Sequence, residues 1–340
     1  MNAIYLDCFS GISGNMFLGA CLQLGVPAAY LAAELQKLPF DDEYSIEIAD
    51  VSKTGIAAVH VDVKLPHDHH DHHDHHEHHH DHEHHHRSMA DIRKIIESST
   101  LSLEIKKLSL LIFQKLAIAE GKVHNRPADE VHFHEVGAVD SIVDIVGCAI
   151  CIDYLAVEKV FVSKINVGSG FVHCAHGLMP VPAPATAELL TGFKTSRSTV
   201  EKELTTPTGA AIIASLAEQS LELPDDFSVE KIAYGAGTHD LEIPNVLRIY
   251  FGSIETPKER RLIKLETNID DMNPQIYGYL YDRLLEAGAL DVWTTPIYMK
   301  KTRPAHTLTA LLSDDREADC ARIIFEETTT LGLRIINVDR

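Results

Sequence analysis

The sequence predicts an α+β protein in two parts: a larger mixed α/β N-terminal domain over residues 1–255 and a ferredoxin-like β-α-β-β-α-β domain over residues 261–340. Three observations lead there. Short apolar or alternating segments are interleaved with helical-period segments from the first residues onward. A polar stretch from Glu255 to Arg260 has the composition of a linker. The residues after it parse in the order of a split βαβ unit.

Composition narrows the function classes. The 340 residues are 45% hydrophobic and 24% charged, which suits packed globular material and excludes a wholly disordered or collagen-like chain. Fifty acidic against thirty basic residues give a net charge of −20, which argues against nucleic acid or an anionic membrane as partner. No apolar run approaches the ~18–20 residues that span a bilayer. Residues Met1 to Gly14 lack a basic region followed by a long apolar stretch, so no signal peptide is indicated. Cys8, Cys21, Cys148, Cys151, Cys174 and Cys320 are too sparse for a disulfide framework, and a reduced cytoplasm is the expected location.

In chain order, Ile4–Phe9 is a short strand, Ser10–Gly14 a turn and Met16–Leu24 a helix. Pro27 opens a second helix, and Tyr44–Val51 and Ile56–Leu65 alternate as strands. His67 to His86 holds only His, Asp and Glu, fourteen histidines and six acids, with nothing apolar to bury; it is expected to be a disordered, mobile surface loop. Without those six acids the chain still carries −14. Helical patterns return at Met89–Glu97, Leu101–Glu120 and about Ser141–Leu155. A strand over Val160–Val167, a Pro-rich segment over Met179–Pro184 and a helix from Pro207 follow, with strands around Val229 and over Val246–Phe251. The last part reads as strand Leu262–Asn268, helix Pro274–Ala287 with Asn273 as N-cap, and strands Val292–Tyr298 and Thr307–Leu312 joined by a basic turn. Helix Glu317–Glu327 and strand Leu333–Val338 complete it.

Several residue sets could carry chemistry. Imidazole is a common ligand for nickel, zinc and copper. His67, His69, His70, His72, His73, His75, His76, His78, His79, His80, His82, His84, His85 and His86 therefore read as an unselective metal reservoir, against a plain solvated loop. In His132-Phe133-His134-Glu135 an extended backbone points both histidines to one side, and Asp140 and Asp144 share a helical face; together they could hold one divalent ion. The competing reading is helix-capping acids and hydrogen-bonded histidines. Asp7 and Cys8 precede a small-residue loop whose N–H groups could meet a phosphate, yet it lacks a Walker A lysine and a tight turn explains it equally. Thr206-Pro207-Thr208-Gly209 is a similar helix start. His173 and His176 around Cys174 suit a surface loop, and the Cys148/Cys151 pair inside an apolar helix reads as core thiols.

In a split βαβ unit the first two strands are parallel, so Asp270 and Asp271 end up on the same sheet edge as Lys300, Lys301 and Arg303, beside a helix N-terminus. A nucleoside triphosphate with its metal fits there. The alternative is a solvated basic hairpin beside an acidic cap.

Taken together, these segments resemble the LarC family, which inserts nickel during synthesis of the nickel-pincer nucleotide cofactor of lactate racemase. The resemblance rests on residues 5–16 (YLDCFSGISGNM), the His-rich run, residues 133–147 (FHEVGAVDSIVDIVG), His176-Gly177 and residues 180–186 (PVPAPAT). It continues with residues 206–210 (TPTGA), 244–248 (PNVLR), 268–274 (NIDDMNP) and Met299-Lys300-Lys301. The family often has Asp where this chain has Asn15, and its members run on past the segment corresponding to Leu333, whereas this sequence ends at Arg340.

The resemblance implies an enzyme that places Ni(2+) into pyridinium-3,5-bisthiocarboxylic acid mononucleotide, consuming CTP with Mn(2+) or Mg(2+). It implies nickel handover by His132, His134, Glu135, Asp140 and Asp144 with Asp7 and Cys8 nearby, the base being one of Glu135, Asp140 or Asp144. It implies CTP phosphates on Lys300, Lys301 and Arg303, the activating ion on Asp270 or Asp271, and substrate phosphate near Ser10, Gly11, Ser13, Gly14, Thr206 and Thr208. A homo-oligomer and the lactate racemase apoprotein as partner also follow from it. The alternative class is a non-catalytic nickel or zinc storage protein or metallochaperone; a GTPase-type chaperone is disfavoured by the missing Walker A loop.

Overall fold

The computed structural model describes residues 1–39, 44–64, 87–131, 133, 139–174, 177–254 and 261–338. The chain divides into two compact units, Met1–Glu255 and Thr256–Arg340.

In the first unit, β1 (Asn2–Asp7) leads into α1 (Gly14–Leu24) and α2 (Ala28–Leu35), then the hairpin of β2 (Ser45–Lys53) and β3 (Ile56–Lys64). Helices α3 (Met89–Ser98), α4 (Leu103–His124) and α5 (Val139–Tyr154) come next. The chain continues through β4 (Lys159–Val162), β5 (Ile165–Asn166), β6 (Phe171–Cys174), β7 (Gly177–Pro180) and α6 (Pro184–Leu189). After β8 (Thr195–Ser196) come α7 (Pro207–Leu216) and β9 (Ala217–Gln219), and β10 (Phe227–Ala236) and β11 (Val246–Ile254) finish the unit.

A seven-stranded mixed sheet in the order β2-β3-β10-β11-β1-β4-β9 carries the main core. β1 runs antiparallel to β11 and parallel to β4. Its Ile4 and Leu6 join the large helix-side core while Ala3 and Tyr5 join a second cluster with Phe161 and Phe227. Burial on both faces is why this segment reads as a continuous apolar run rather than an alternation. α1 stops at Gly25, whose φ of 114° lets its N–H and that of Val26 return to Leu22 and Cys21. α3 opens with a Ser88/Asp91 capping box. α5 is apolar on nearly every side and buried through the core, as such a helix must be.

α1 sits directly on the sheet. A Cβ at Gly19 would strike the Val59 carbonyl, and one at Gly235 the Met16 carbonyl, so helix and strand backbones approach with no side chain between them.

Some expectations are corrected. The strand over Val160–Val167 breaks after Val162; Ile165–Asn166 turns away to pair with β8. The segment around the proline run forms the β6–β7 hairpin and α6, and a short strand, β9, follows α7. The loop reading of His67–His86 falls outside the described residues, as does the linker 255–260.

The second unit holds β12 (Leu262–Ile269), α8 (Ile276–Glu286), β13 (Asp291–Tyr298), β14 (Pro304–Ser313), α9 (Glu317–Glu327) and β15 (Arg334–Val338). Its sheet order is β13-β14-β12-β15 with every neighbouring pair antiparallel, so β12 and β13 run parallel. Alternating burial along β12 packs Ile263, Leu265 and Ile269 with Leu280, Leu284 and Ile323 of the helices. α8 starts two residues later than Pro274: the Asn273 carboxamide accepts from Gln275 N–H at 3.0 Å in a turn that precedes the helix.

Two glycine substitutions are expected to act with opposite signs. Gly235→Ala forces α1 off the sheet and destabilises the first unit by about 2 kcal/mol. Gly278→Ala, in α8 with nothing within 4 Å of the added methyl, stabilises the second unit by about 0.5–1 kcal/mol. Urea unfolding of each variant checks both signs.

Candidate functional site

Residues 8–13 leave β1 as a loop held from several directions. The Cys8 N–H donates to Ser163 Oγ at 2.9 Å, and the Cys8 carbonyl accepts from Gly11 and Asn166 at 3.0 and 3.1 Å. The Asn166 amide donates to the Phe9 carbonyl at 2.8 Å. Ile12 donates to the Leu204 carbonyl at 2.9 Å and accepts from Thr206 at 3.1 Å. Gly11, with φ of 81°, permits this close pairing, because a Cβ there would strike the Leu204 carbonyl. A Cβ on Gly209 would lie 3.0 Å from Ser13 Cα, so the N-termini of α1 and α7 stand side by side.

The six residues expected to meet a phosphate divide. Ser10 is fully buried, and its hydroxyl has no partner among the described residues. The Thr206 hydroxyl caps α7 by accepting from Gly209 N–H at 3.2 Å and lies 2.9 Å from the Thr208 hydroxyl. Ser13 occupies the N-cap position of α1 without capping it; its hydroxyl donates to Asn15 Oδ1 at 2.5 Å. Gly11 and Gly14 are buried.

The cap of α1 comes from another helix. Asp144, in the second turn of α5, lies where any Cβ on Gly14 would collide with it, and its carboxylate accepts the Asn15 backbone N–H. Its other contact is missing: Oδ1 is buried with no partner among the described residues. Burial, then the charge of Asp140 one turn earlier, pushes this carboxyl well above the usual carboxylate range; Asp62 on β3 adds to the rise and the Asn15 N–H opposes it. Asp140 is exposed and accepts from Ser141 N–H at 2.7 Å. A half-bonded buried carboxylate with a second acid beside it is a donor set that a divalent cation would complete. His132, His134 and Glu135, expected to share that ion, lie outside the described residues, as do the fourteen histidines of 67–86. Among the described residues no three His, Cys, Asp or Glu side chains converge as a metal site.

Asp7 and Cys8 do not join Asp144. Asp7 is held by Arg248, which donates through Nε at 3.0 Å and also through Nη2. Cys8 is fully buried, and burial, helped by the Asp7 charge, pushes its thiol up, so it sits as a protonated core residue. Cys148 and Cys151 are likewise fully buried in α5. Asn15 turns its amide oxygen back to Met16 N–H at 2.9 Å, serving its own helix.

Arg248 is the residue that sequence reasoning left without a role. Its guanidinium lies 5.5 Å from the Phe9 ring and 5.2 Å from the Tyr250 ring, in a cross-strand row with Asp7 and Tyr234. Its side chain is 34% exposed and lies beside the loop at Phe9. Reading this pair from sequence requires the β1–β11 register, which composition does not reveal.

In the second unit, Ile269 pairs with His306 and Tyr298 with Pro304, so both parallel strands end beside the start of β14. Asp270 Oδ2 lies 3.4 Å from Arg303 Nη1, and Asp271 accepts from the Thr329 hydroxyl. Lys300, Lys301 and Arg303 are exposed. Lys301 and Thr302 both hold left-handed backbone, φ of 59° and 57°, closed by a 2.9 Å bond from Met299 N–H to the Arg303 carbonyl. Two such non-glycine residues in succession cost roughly 1–2 kcal/mol each, a conformation that suits the tight connection between β13 and β14. His306, 5.3 Å from the Tyr277 ring, shares the edge and was not singled out from sequence.

A family described as "Nickel insertion protein" matches residues 4–340. The "pyridinium-3,5-bisthiocarboxylic acid mononucleotide nickel insertion protein" of Clostridium kluyveri is 53% identical over 341 residues, covering 100% of this chain and 84% of its own. A protein of the same name from Desulfitobacterium hafniense is 45% identical over 347 residues, covering 100% and 82%. Among solved structures, the apo form of "LarC2, the C-terminal domain of a cyclometallase involved in the synthesis of the NPN cofactor of lactate racemase" is 41% identical over 24% of this chain and 56% of that one, with a TM-score of 0.23. With its match running from residue 4 to residue 340, this chain belongs to the nickel insertion protein family.

Proposed function

We propose that this protein inserts nickel into pyridinium-3,5-bisthiocarboxylic acid mononucleotide, with consumption of CTP, to form the nickel-pincer nucleotide cofactor of lactate racemase. Relatives bearing that name align over the whole chain. The structural observation that carries the reading is Asp144, a buried carboxylate with one oxygen bonded and one left open.

Insertion exchanges a ring proton for the metal: the C–H bond breaks, the nickel–carbon bond forms, the proton passes to a base and the two sulfurs complete the binding. Nickel is a substrate here. Asp144 and Asp140, with His132, His134 and Glu135, present it. One of Glu135, Asp140 and Asp144 takes the proton, and a carboxylate whose affinity for a proton is raised by burial is suited to that task. Ser13, Thr206 and Thr208, at the adjacent starts of α1 and α7, would contact the substrate phosphate, with the positive dipole end of α7 beside them; in α1 the Asn15 and Met16 N–H groups are already taken by Asp144 and Asn15.

CTP is read onto the edge of the second unit. Lys300, Lys301 and Arg303 grip the phosphates. Asp270 and Asp271 offer the hard oxygens that suit Mn(2+) or Mg(2+), which when bound offsets triphosphate charge. Asp270 would exchange its Arg303 contact for that ion. The reading includes a cytoplasmic setting, self-association and delivery to the lactate racemase apoprotein. No helix among the described residues is long and apolar enough to cross a membrane.

The direct test incubates the protein with the pyridinium substrate, nickel, manganese and CTP and follows mass. A nickel-dependent gain that requires CTP is expected; no gain, or an equal gain without nucleotide, contradicts the proposal. In the same assay Lys300→Ala with Lys301→Ala raises the KM for CTP about tenfold, while deletion of residues 67–86 leaves turnover intact at ample nickel. Loss of all activity in that deletion favours the storage reading.

Asp144 also links stability to pH. Its raised folded pKa means that it contributes nothing below the unfolded aspartate value of about 3.9, and destabilises as pH climbs from there through the folded value. Asp144→Asn is therefore expected to be about 1–2 kcal/mol more stable than the parent at pH 8 in metal-free buffer, nearly equal at pH 4, and inactive in insertion. Thermal denaturation at the two pH values checks the sign.

A further inference from the structure

The first unit has a cavity of about 610 Å³ between the first half of α4, the last turns of α5 and the starts of β4 and β9. It opens at the sheet edge opposite the 8–13 loop: Lys159, which begins β4, lines it, whereas that loop leaves the far end of the parallel neighbour β1. None of its lining residues belongs to the candidate nickel site of this unit. Its size lies within the roughly 300–1,000 Å³ of small-molecule sites.

The walls are apolar where they are deepest, from Ala149, Ile152, Val160 and Leu216, and Leu111 on the outer wall is 44% exposed. The rim is charged and unbalanced. Lys107 is paired with Glu104 at 2.9 Å and Lys159 with Glu218 at 2.6 Å. Those pairs neutralise the two lysines on the rim and, among the described residues, leave Asp153 and Glu158 without an ion pair; Glu158 accepts the Asn2 backbone N–H at 3.3 Å. Asp153 lies in the last turn of α5, where the helix carbonyls add partial negative charge. An anion would meet two uncompensated carboxylates, and a bare metal ion would meet mostly hydrocarbon.

We propose that this cavity is a second small-molecule site, selective for an organic cation with an apolar body and one protonated or quaternary nitrogen. The body fills the pocket beside Ile152 and Leu216, and the head sits between Asp153 and Glu158. The proposal is independent of nickel insertion.

The test is calorimetric titration of the full chain with three matched probes: 4-phenylbutylammonium, 4-phenylbutanol and 4-phenylbutanoate. The expected order is cation tightest, alcohol weaker and carboxylate weakest. Asp153→Asn with Glu158→Gln is expected to weaken the cation about five-fold and leave the alcohol unchanged. Leu111→Trp, at the exposed wall, reduces binding of cation and alcohol alike. Absence of cation binding, equal binding of the three probes, or full cation affinity in the double acid variant overturns the proposal. Because Asp153 and Glu158 are exposed, that double variant keeps its fold even if the tryptophan variant does not.

Discussion

The seating of Asp144 against the first turn of α1 is the contact on which the candidate nickel site depends. A carboxylate can cap a helix from a neighbouring helix only if nothing stands between them, and Gly14 supplies that room. On its other side α1 lies low on the sheet, which Gly19 and Gly235 allow by bringing backbone against backbone. One oxygen then gains the Asn15 N–H while the other is sealed from water without a donor among the described residues. An unmet buried acceptor costs roughly 1–3 kcal/mol. The fold bears that cost at the start of the apolar helix α5, and a cation arriving at Oδ1 would relieve it.

Much of this was legible beforehand. Period and capping residues located β1, α1, α4, α5 and the elements of the second unit, because those signals are local. The parallel ends of β12 and β13 followed from element order alone, and the register places Asp270 beside Arg303. The pairing of Asp140 with Asp144 was also readable, since residues four apart on a helix share a face.

What the sequence hid is long-range. Asp7 reads as a free carboxylate until the β1–β11 register sets Arg248 opposite it. Cys8 reads as a soft ligand at a strand end, yet the packing of residues 8–13 against Leu204 and Asn166 encloses it. Ser163 and Lys164 interrupt an otherwise strand-like run, and Ser163 Oγ accepts the Cys8 N–H, a partner 155 positions away. The left-handed turn at Lys301 and Thr302 has no glycine or asparagine to announce it. In each case the deciding partner lies far away in the chain or the local signal is absent.

Isotope-edited infrared difference spectroscopy of the parent protein against Asp144→Asn observes this carboxyl directly. The account predicts a protonated Asp144 band persisting well above the pH range of ordinary aspartates in metal-free protein, and its replacement by a carboxylate band when nickel is added at constant pH. A carboxylate already ionised at pH 5 without metal, or a spectrum that nickel leaves unchanged, would contradict it.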